Sequence, residues 1–201
     1  MKKICAFLMM AAALTACWPF EQPVQPQEYH YSKITVLGAR EGEDTVENEE
    51  YPNLFDGNVR NKWCSVEYWG GSYEERIAGQ GGYDYIIWKT QSSIVLNGYT
   101  LITGNDTQKF TDRNWKTWTI YGANFASDDE AKNAAPGWTQ IQKIENDTVL
   151  QPVNNEPFYF EVSGNTTAYQ YYKLVIEAIQ STIDNVHQMS EMILYTTDIK
   201  E

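Results

Sequence analysis

Phe158-Tyr159-Phe160-Glu161-Val162 alternates residue by residue, with Phe158, Phe160 and Val162 on one side and Tyr159 and Glu161 on the other. A period of two is the signature of a half-buried β-strand, because successive side chains leave a strand on opposite faces. The pattern recurs along the chain. Leu174, Ile176 and Ala178 oppose Lys173, Val175 and Glu177. Strand-like runs are expected at Ile34–Gly38, Asp84–Lys89, Ser93–Gly104, Thr117–Gly122, Trp138–Lys143, Phe158–Ser163, Tyr169–Ile179 and Met189–Thr196. Turn residues separate them: Asp56-Gly57, Gly70-Gly71, Gly81-Gly82, Gly104-Asn105-Asp106, Asn154-Asn155 and Ser163-Gly164-Asn165. About eight short strands joined this way make an all-β chain, a β-sandwich of jelly-roll type. One stretch is expected to be helical, Ser127–Ala135, with Ser127 and Glu130 at capping-box spacing and Pro136-Gly137 as its stop. It reads as a short surface helix between strands.

The N-terminus has a different grammar. Met1-Lys2-Lys3 is followed by the uncharged apolar run 4–14. That run is shorter than the roughly 20 residues a spanning helix needs, and a basic start with a short apolar core is the pattern of a secretory signal. It closes on Leu14-Thr15-Ala16-Cys17, which resembles the lipobox of bacterial lipoproteins. The resemblance implies cleavage before Cys17 and lipidation of that cysteine. Residues 1–16 are then a signal peptide. Residues 17–28 form a Pro/Gln-rich tether, and 29–201 form the folded domain. The expected location is the bacterial cell envelope, at the outer membrane or cell surface, held by the lipid alone.

Without Lys2 and Lys3 the chain carries thirteen basic against 27 acidic residues. Nucleic acid and anionic lipid need a basic face, so neither is an expected partner. Cys5 leaves with the signal and Cys17 takes the lipid, so Cys64 has no partner for an internal disulfide. Seven Trp, fourteen Tyr and seven Phe suit a β-rich core, with some left over for stacking on a ligand.

Four stretches, taken in order, resemble the discoidin family. Its galactose-binding-like jelly rolls include coagulation-factor C domains and many bacterial carbohydrate-binding modules. The first is residues 53–65, NLFDGNVRNKWCS. The second is the Gly104-Asn105-Asp106 turn after Leu101. The third is residues 112–124, DRNWKTWTIYGAN, and the fourth joins Tyr171–Ile176 to Met189–Tyr195, where Glu191 opens the closing strand. The chain departs from the family pattern at Asn61, where Thr is usual, and at Asn114, where Pro is common. The resemblance implies a structural calcium between the Asp-Gly loop and the closing strand, with Asp56, Asn61 and Glu191 as ligands. The plainer alternative is a simple Asp-Gly turn with Glu191 capping backbone amides.

Sugars offer apolar C–H faces and rings of hydroxyls, so their sites combine an exposed aromatic plate with planar polar groups. Asn105, Asp106, Arg113 and Trp115 have that chemistry, as do Trp69 and Tyr73 in the long Gly/Tyr-rich segment. Trp115 has a competing reading as a buried anchor, and Arg113 as the partner of Asp112 or Glu191. Trp63 and Trp118 read as core. His-Glu-x-x-His, Gly-x-Ser-x-Gly and phosphate-loop patterns do not occur, and Cys64 has no evident histidine partner. The expectation is a lipid-anchored, non-catalytic carbohydrate-binding module. A protein–protein adhesion or scaffolding module with an envelope protein partner is the alternative.

Overall fold

The computed structural model describes residues 24–40, 48–65, 84–133, 136–182 and 186–198. Within them the chain forms strands β1 (Gln27–Tyr29), β2 (Ile34–Ala39), β3 (Trp63–Ser65), β4 (Asp84–Ile94), β5 (Gly98–Ile102) and β6 (Trp115–Ala123). Then follow helix α1 (Asp128–Asn133), β7 (Thr139–Ile144), β8 (Pro157–Glu161), β9 (Tyr169–Ile179), β10 (His187–Met189) and β11 (Glu191–Thr196). A five-stranded sheet runs β2-β4-β9-β6-β7 and a four-stranded sheet runs β1-β11-β5-β8. A two-stranded piece, β10-β3, completes the set, and every pairing is antiparallel.

The alternation read from the sequence decides which faces meet. In β9, Leu174 and Ile176 are fully buried, while in β8 Phe160 is buried and Tyr159 is exposed. The two large sheets close over Trp63, Trp88, Trp115, Trp118, Tyr99 and Tyr172, all with no exposed surface. Some polar tips inside this core find partners, while the Trp63 and Trp88 indole N–H groups have none among the described residues. Trp118 Nε1 donates to Tyr99 Oη at 2.9 Å, and Tyr172 Oη donates to the Ile94 carbonyl at 2.6 Å. The core roles expected for Trp63 and Trp118 hold.

The expected run 93–104 is in fact the end of one strand and the whole of another. Between Ile94 and Gly98 the chain crosses from the five-stranded to the four-stranded sheet. There the Val95 amide turns to the Asp198 carboxylate at 2.8 Å instead of a ladder carbonyl. The expected closing strand is likewise interrupted at Ser190, so that β10 pairs with β3 and β11 with β5. Two three-residue strands carry too few alternations to be legible: β3, and β1, which starts inside the expected tether and pairs with β11. Helix α1 falls within the expected Ser127–Ala135 and keeps its cap; Ala134 and Ala135 lie outside the described residues. Ser127 Oγ accepts from the Glu130 amide at 3.2 Å, and Glu130 Oε2 reaches back to the Ala126 amide at 3.0 Å.

Candidate functional site

The Asp-Gly motif is held from below by a 3-10 turn, Tyr51–Phe55, whose Leu54 and Phe55 are buried. Gly57 follows with φ +74°, and a Cβ there would lie 2.5 Å from the Tyr31 ring. Both the backbone angle and the space therefore require glycine. Asp56 Oδ1 accepts from the Asn58 amide at 2.7 Å, closing an Asx-turn. Glu191, at the start of β11, accepts from the same amide at 2.9 Å. Asp56 and Glu191 thus meet across 135 residues of sequence on one backbone N–H. Glu191 is only 3% exposed. Burial first, and then the Asp56 carboxyl beside it, push its pKa up to about 8. A cavity of about 180 Å³ opens next to it, lined by Tyr29, Tyr31, Gly57, Val59 and Met192 among others.

The residues expected to hold calcium carry oxygen donors of the kind it prefers. The Asp56 and Glu191 carboxylates converge, and a cation would remove the penalty that burial imposes on Glu191. The Asn61 side chain lies against the same group: its amide N–H donates to Asp56 Oδ2 at 2.9 Å. Among the described residues, no three His, Cys, Asp or Glu side chains form a metal-holding group.

The segment between β5 and β6 supplies a second polar cluster. Lys62, only 4% exposed, stands just before β3 and donates to Asp106 at 2.7 Å. It also lies 3.2 Å from Glu49. The neighbouring Asn105 Nδ2 donates to the Arg60 carbonyl at 2.6 Å. These contacts bind the Asp-Gly loop to the 104–114 loop. Farther along, the Arg113 guanidinium stacks 3.8 Å above the Phe110 ring, with the Lys109 ammonium 4.9 Å from the same ring. Asn105, Asp106 and Arg113 therefore lie in one loop, each in a defined contact. The Asp106 carboxylate is already engaged by a buried lysine.

Trp115 is the clear correction. It opens β6 with no exposed surface, so it offers no plate to a ligand. Its indole N–H donates to His187 Nδ1 at 3.2 Å, and His187 Nε2 lies 2.9 Å from Asp84 Oδ2. The buried-anchor reading of this tryptophan is the one the structure supports. Trp69 and Tyr73 lie outside the described residues. The residues flanking that segment, Ser65 and Asp84, both meet His187: Ser65 as its cross-strand partner and Asp84 by hydrogen bond.

Sequence reasoning missed Lys62, Glu49, Phe110 and His187. For Phe110 a signal exists, since Lys109-Phe110 followed by Arg113 places two cations within reach of one ring. Nothing local marks Lys62, whose partners come from two separate loops. Cys64 is a free, buried thiol whose pKa is pushed up to about 12, mainly by burial and then by Glu49. A thiol so rarely ionised is a poor nucleophile. His187 has both ring nitrogens occupied, by Trp115 and Asp84, which leaves neither to activate a hydroxyl.

No family model matches the chain, and no curated protein does either. Solved structures do match. An F5/8 type C domain from Bacteroides fragilis superposes with a TM-score of 0.59 at 14% identity, over 88% of this chain and 100% of that one. The C-terminal domain of a chitobiase from the same organism gives 0.57 at 14%, over 87% and 100%. A family 32 carbohydrate-binding module from Clostridium perfringens, in complex with GalNAc-β-1,3-galactose, gives 0.56 at 12%, over 84% and 99%. At such identities the likeness establishes the architecture: the chain has the discoidin-like jelly-roll fold.

Proposed function

We propose that this chain is a non-catalytic carbohydrate-binding module, anchored by a lipid on Cys17 in a bacterial cell envelope and part of a glycan-capture system. The observation that carries the reading is the loop cluster on a rigid sandwich. The planar groups of Asn105 and Arg113 stand in one loop with the Phe110 ring, braced by the ion pair of buried Lys62 with half-buried Asp106. Such a cluster offers hydrogen bonds to hydroxyls and an apolar surface to a sugar face. Sugar complexes of a module with the same fold support the choice of ligand class. The occupied nitrogens of His187 and the unionised Cys64 thiol support binding without catalysis. In this reading Asp56 and Glu191 hold a structural calcium ion that fixes the Asp-Gly loop under the site. Trp69 and Tyr73 remain proposed as further ligand contacts.

The test is a glycan array probed with the chain from residue 17 onward carrying Cys17→Ser, with and without calcium. A family of related hits, weakened in Arg113→Ala and Phe110→Ala, is the expected result. A blank array from folded protein overturns the reading and leaves protein scaffolding as the assignment. Lipidation is checked separately, by radiolabelled acyl incorporation into the full chain and its loss in Cys17→Ser.

A further inference from the structure

The outer face of the four-stranded sheet places tyrosines between carboxylates. Cross-strand register fixes which residues share it. Glu28 of β1, Tyr195 of β11, Gly98 of β5 and Glu161 of β8 form one row across the sheet. Ile193, Thr100 and Tyr159 form the next row. Strands lie about 4.8 Å apart, so the two glutamates bracket the row at a separation on the order of 14 Å.

Between them two tyrosines meet. Tyr159 is 52% exposed, an unusual amount of aromatic surface to leave in water. It leans along the sheet over Gly98, where a Cβ would lie 2.3 Å from its Oη. Its ring meets the Tyr195 ring edge-on at 5.5 Å. Thr100 Oγ1 donates to Tyr195 Oη at 3.4 Å and steadies that second ring. Any side chain at Gly98 would lift the plate off the sheet. Partial burial, then the charge of Glu161 two residues along the same face, hold the Tyr159 phenol above its ordinary pKa.

The two rows carry no lysine or arginine, and Glu28 and Glu161 are exposed. The face is thus an aromatic plate between two carboxylates, on a strongly acidic chain. A flat ring presented on an open sheet suits the C–H face of a pyranose. The flanking carboxylates complement positive charge on that pyranose. A neutral sugar uses only the plate, whereas an amino sugar uses both.

We infer that the outer sheet face around Tyr159 and Tyr195, with Glu28 and Glu161, is a second ligand surface that binds oligosaccharides bearing free ammonium groups. This surface is distinct from the loop cluster of Asn105 and Arg113. It rests on the glycan-binding reading for its ligand class but on different residues for its geometry.

The probe is a hexamer of glucosamine, tested at pH 6 by titration calorimetry against the Cys17→Ser chain, beside its fully N-acetylated counterpart and a lysine hexamer. The glucosamine hexamer is expected to bind at least tenfold more tightly than the N-acetylated one. Tyr159→Ala and the pair Glu28→Gln/Glu161→Gln should each weaken it tenfold or more, with Phe110→Ala leaving it unchanged. Tyr159 and both glutamates are exposed, so these variants are expected to keep the fold, as a melting curve verifies. Absence of glucosamine binding overturns the inference. So does binding that Tyr159→Ala leaves intact, or a lysine hexamer that binds equally well, since either marks unspecific attraction between charges. If array sugars still bind through the loop cluster in those cases, the sheet-face inference alone has failed and the function proposed above stands.

Discussion

The indole N–H of Trp115 donates to Nδ1 of His187 at 3.2 Å, and this one contact fixes the tautomer of a fully buried histidine. An indole nitrogen only donates, so Nδ1 is unprotonated and the ring proton sits on Nε2, facing Asp84 at 2.9 Å. The Trp63 ring packs edge-on against the same imidazole, with centroids 4.6 Å apart. Four strands, β3, β4, β6 and β10, are locked together through one side chain.

Trp115 is therefore a stability residue. Trp115→Ala is expected to cost about 3–5 kcal/mol through the cavity it leaves. Trp115→Phe fills most of the space but strands Nδ1 without a donor, at about 1–3 kcal/mol. Urea denaturation measures both. Ligand affinity of the folded fraction should be unchanged, and a selective loss of binding at full stability would return Trp115 to the ligand site.

The loop cluster gives the opposite expectation. Phe110 and Arg113 are each partly exposed, and their mutual stacking is a surface cation–π contact of about 0.5–1 kcal/mol. Phe110→Ala and Arg113→Ala should each lower stability by about that amount and weaken glycan binding tenfold or more in calorimetric titration. Arg113→Lys separates charge from shape: a lysine keeps the cation but cannot offer a planar fork, so binding should stay weak. Full affinity in Arg113→Lys would reduce the role of Arg113 to a bare charge.

Gly57→Ala tests how the Asp-Gly turn is built. A left-handed backbone angle costs an L-residue about 1–2 kcal/mol, and the new Cβ must also displace the Tyr31 ring. Truncating the Tyr31 ring removes that clash, so the double variant Tyr31→Ala/Gly57→Ala should recover the steric part and keep the conformational part. Thermal melts of the two variants and of Tyr31→Ala give the separation. Equal stability of single and double variants would mean that Tyr31 contributes nothing to the strain.

How far the sequence reaches depends on the range of the interaction involved. The alternation in β8 and β9 is local, so their buried faces were legible residue by residue. The meeting of Asp56 with Glu191 was legible only through resemblance to a known family, since nothing within either segment specifies the other. Phe110 was missed because its partner is a cation and not an apolar neighbour, so hydrophobic patterning passes over it. Trp115 was ambiguous because an indole at a loop–strand junction faces inward or outward according to what the far strands bring. Here that is His187, 72 residues away. The outer face of the four-stranded sheet was hidden for the same reason. Its rows combine residues from β1, β5, β8 and β11, and only the register aligns them.

Glu191 makes the Asp-Gly site sensitive to pH, with a sign that follows from its surroundings. Its carboxyl has an ordinary value of 4.5 and is pushed up to about 8 in the fold. Between those values the folded chain holds a proton that the unfolded chain has released. Its contribution to stability is complete below about pH 4.5 and is lost as pH rises toward 8. In chelator-treated protein, Tm should therefore fall across this window. If the proposed calcium ion takes the place of the proton, adding millimolar calcium at pH 8 should restore Tm, and calcium should bind more tightly as pH rises. Glu191→Gln keeps the shape without the charge. It should flatten the metal-free pH slope and remove the calcium response, and Asp56→Ala should remove that response as well. Melting curves from pH 4.5 to 8.5, with and without calcium, decide the matter. A slope that persists in Glu191→Gln assigns the pH dependence to another group, and a Tm indifferent to calcium shows that Asp56 and Glu191 are joined by a proton alone.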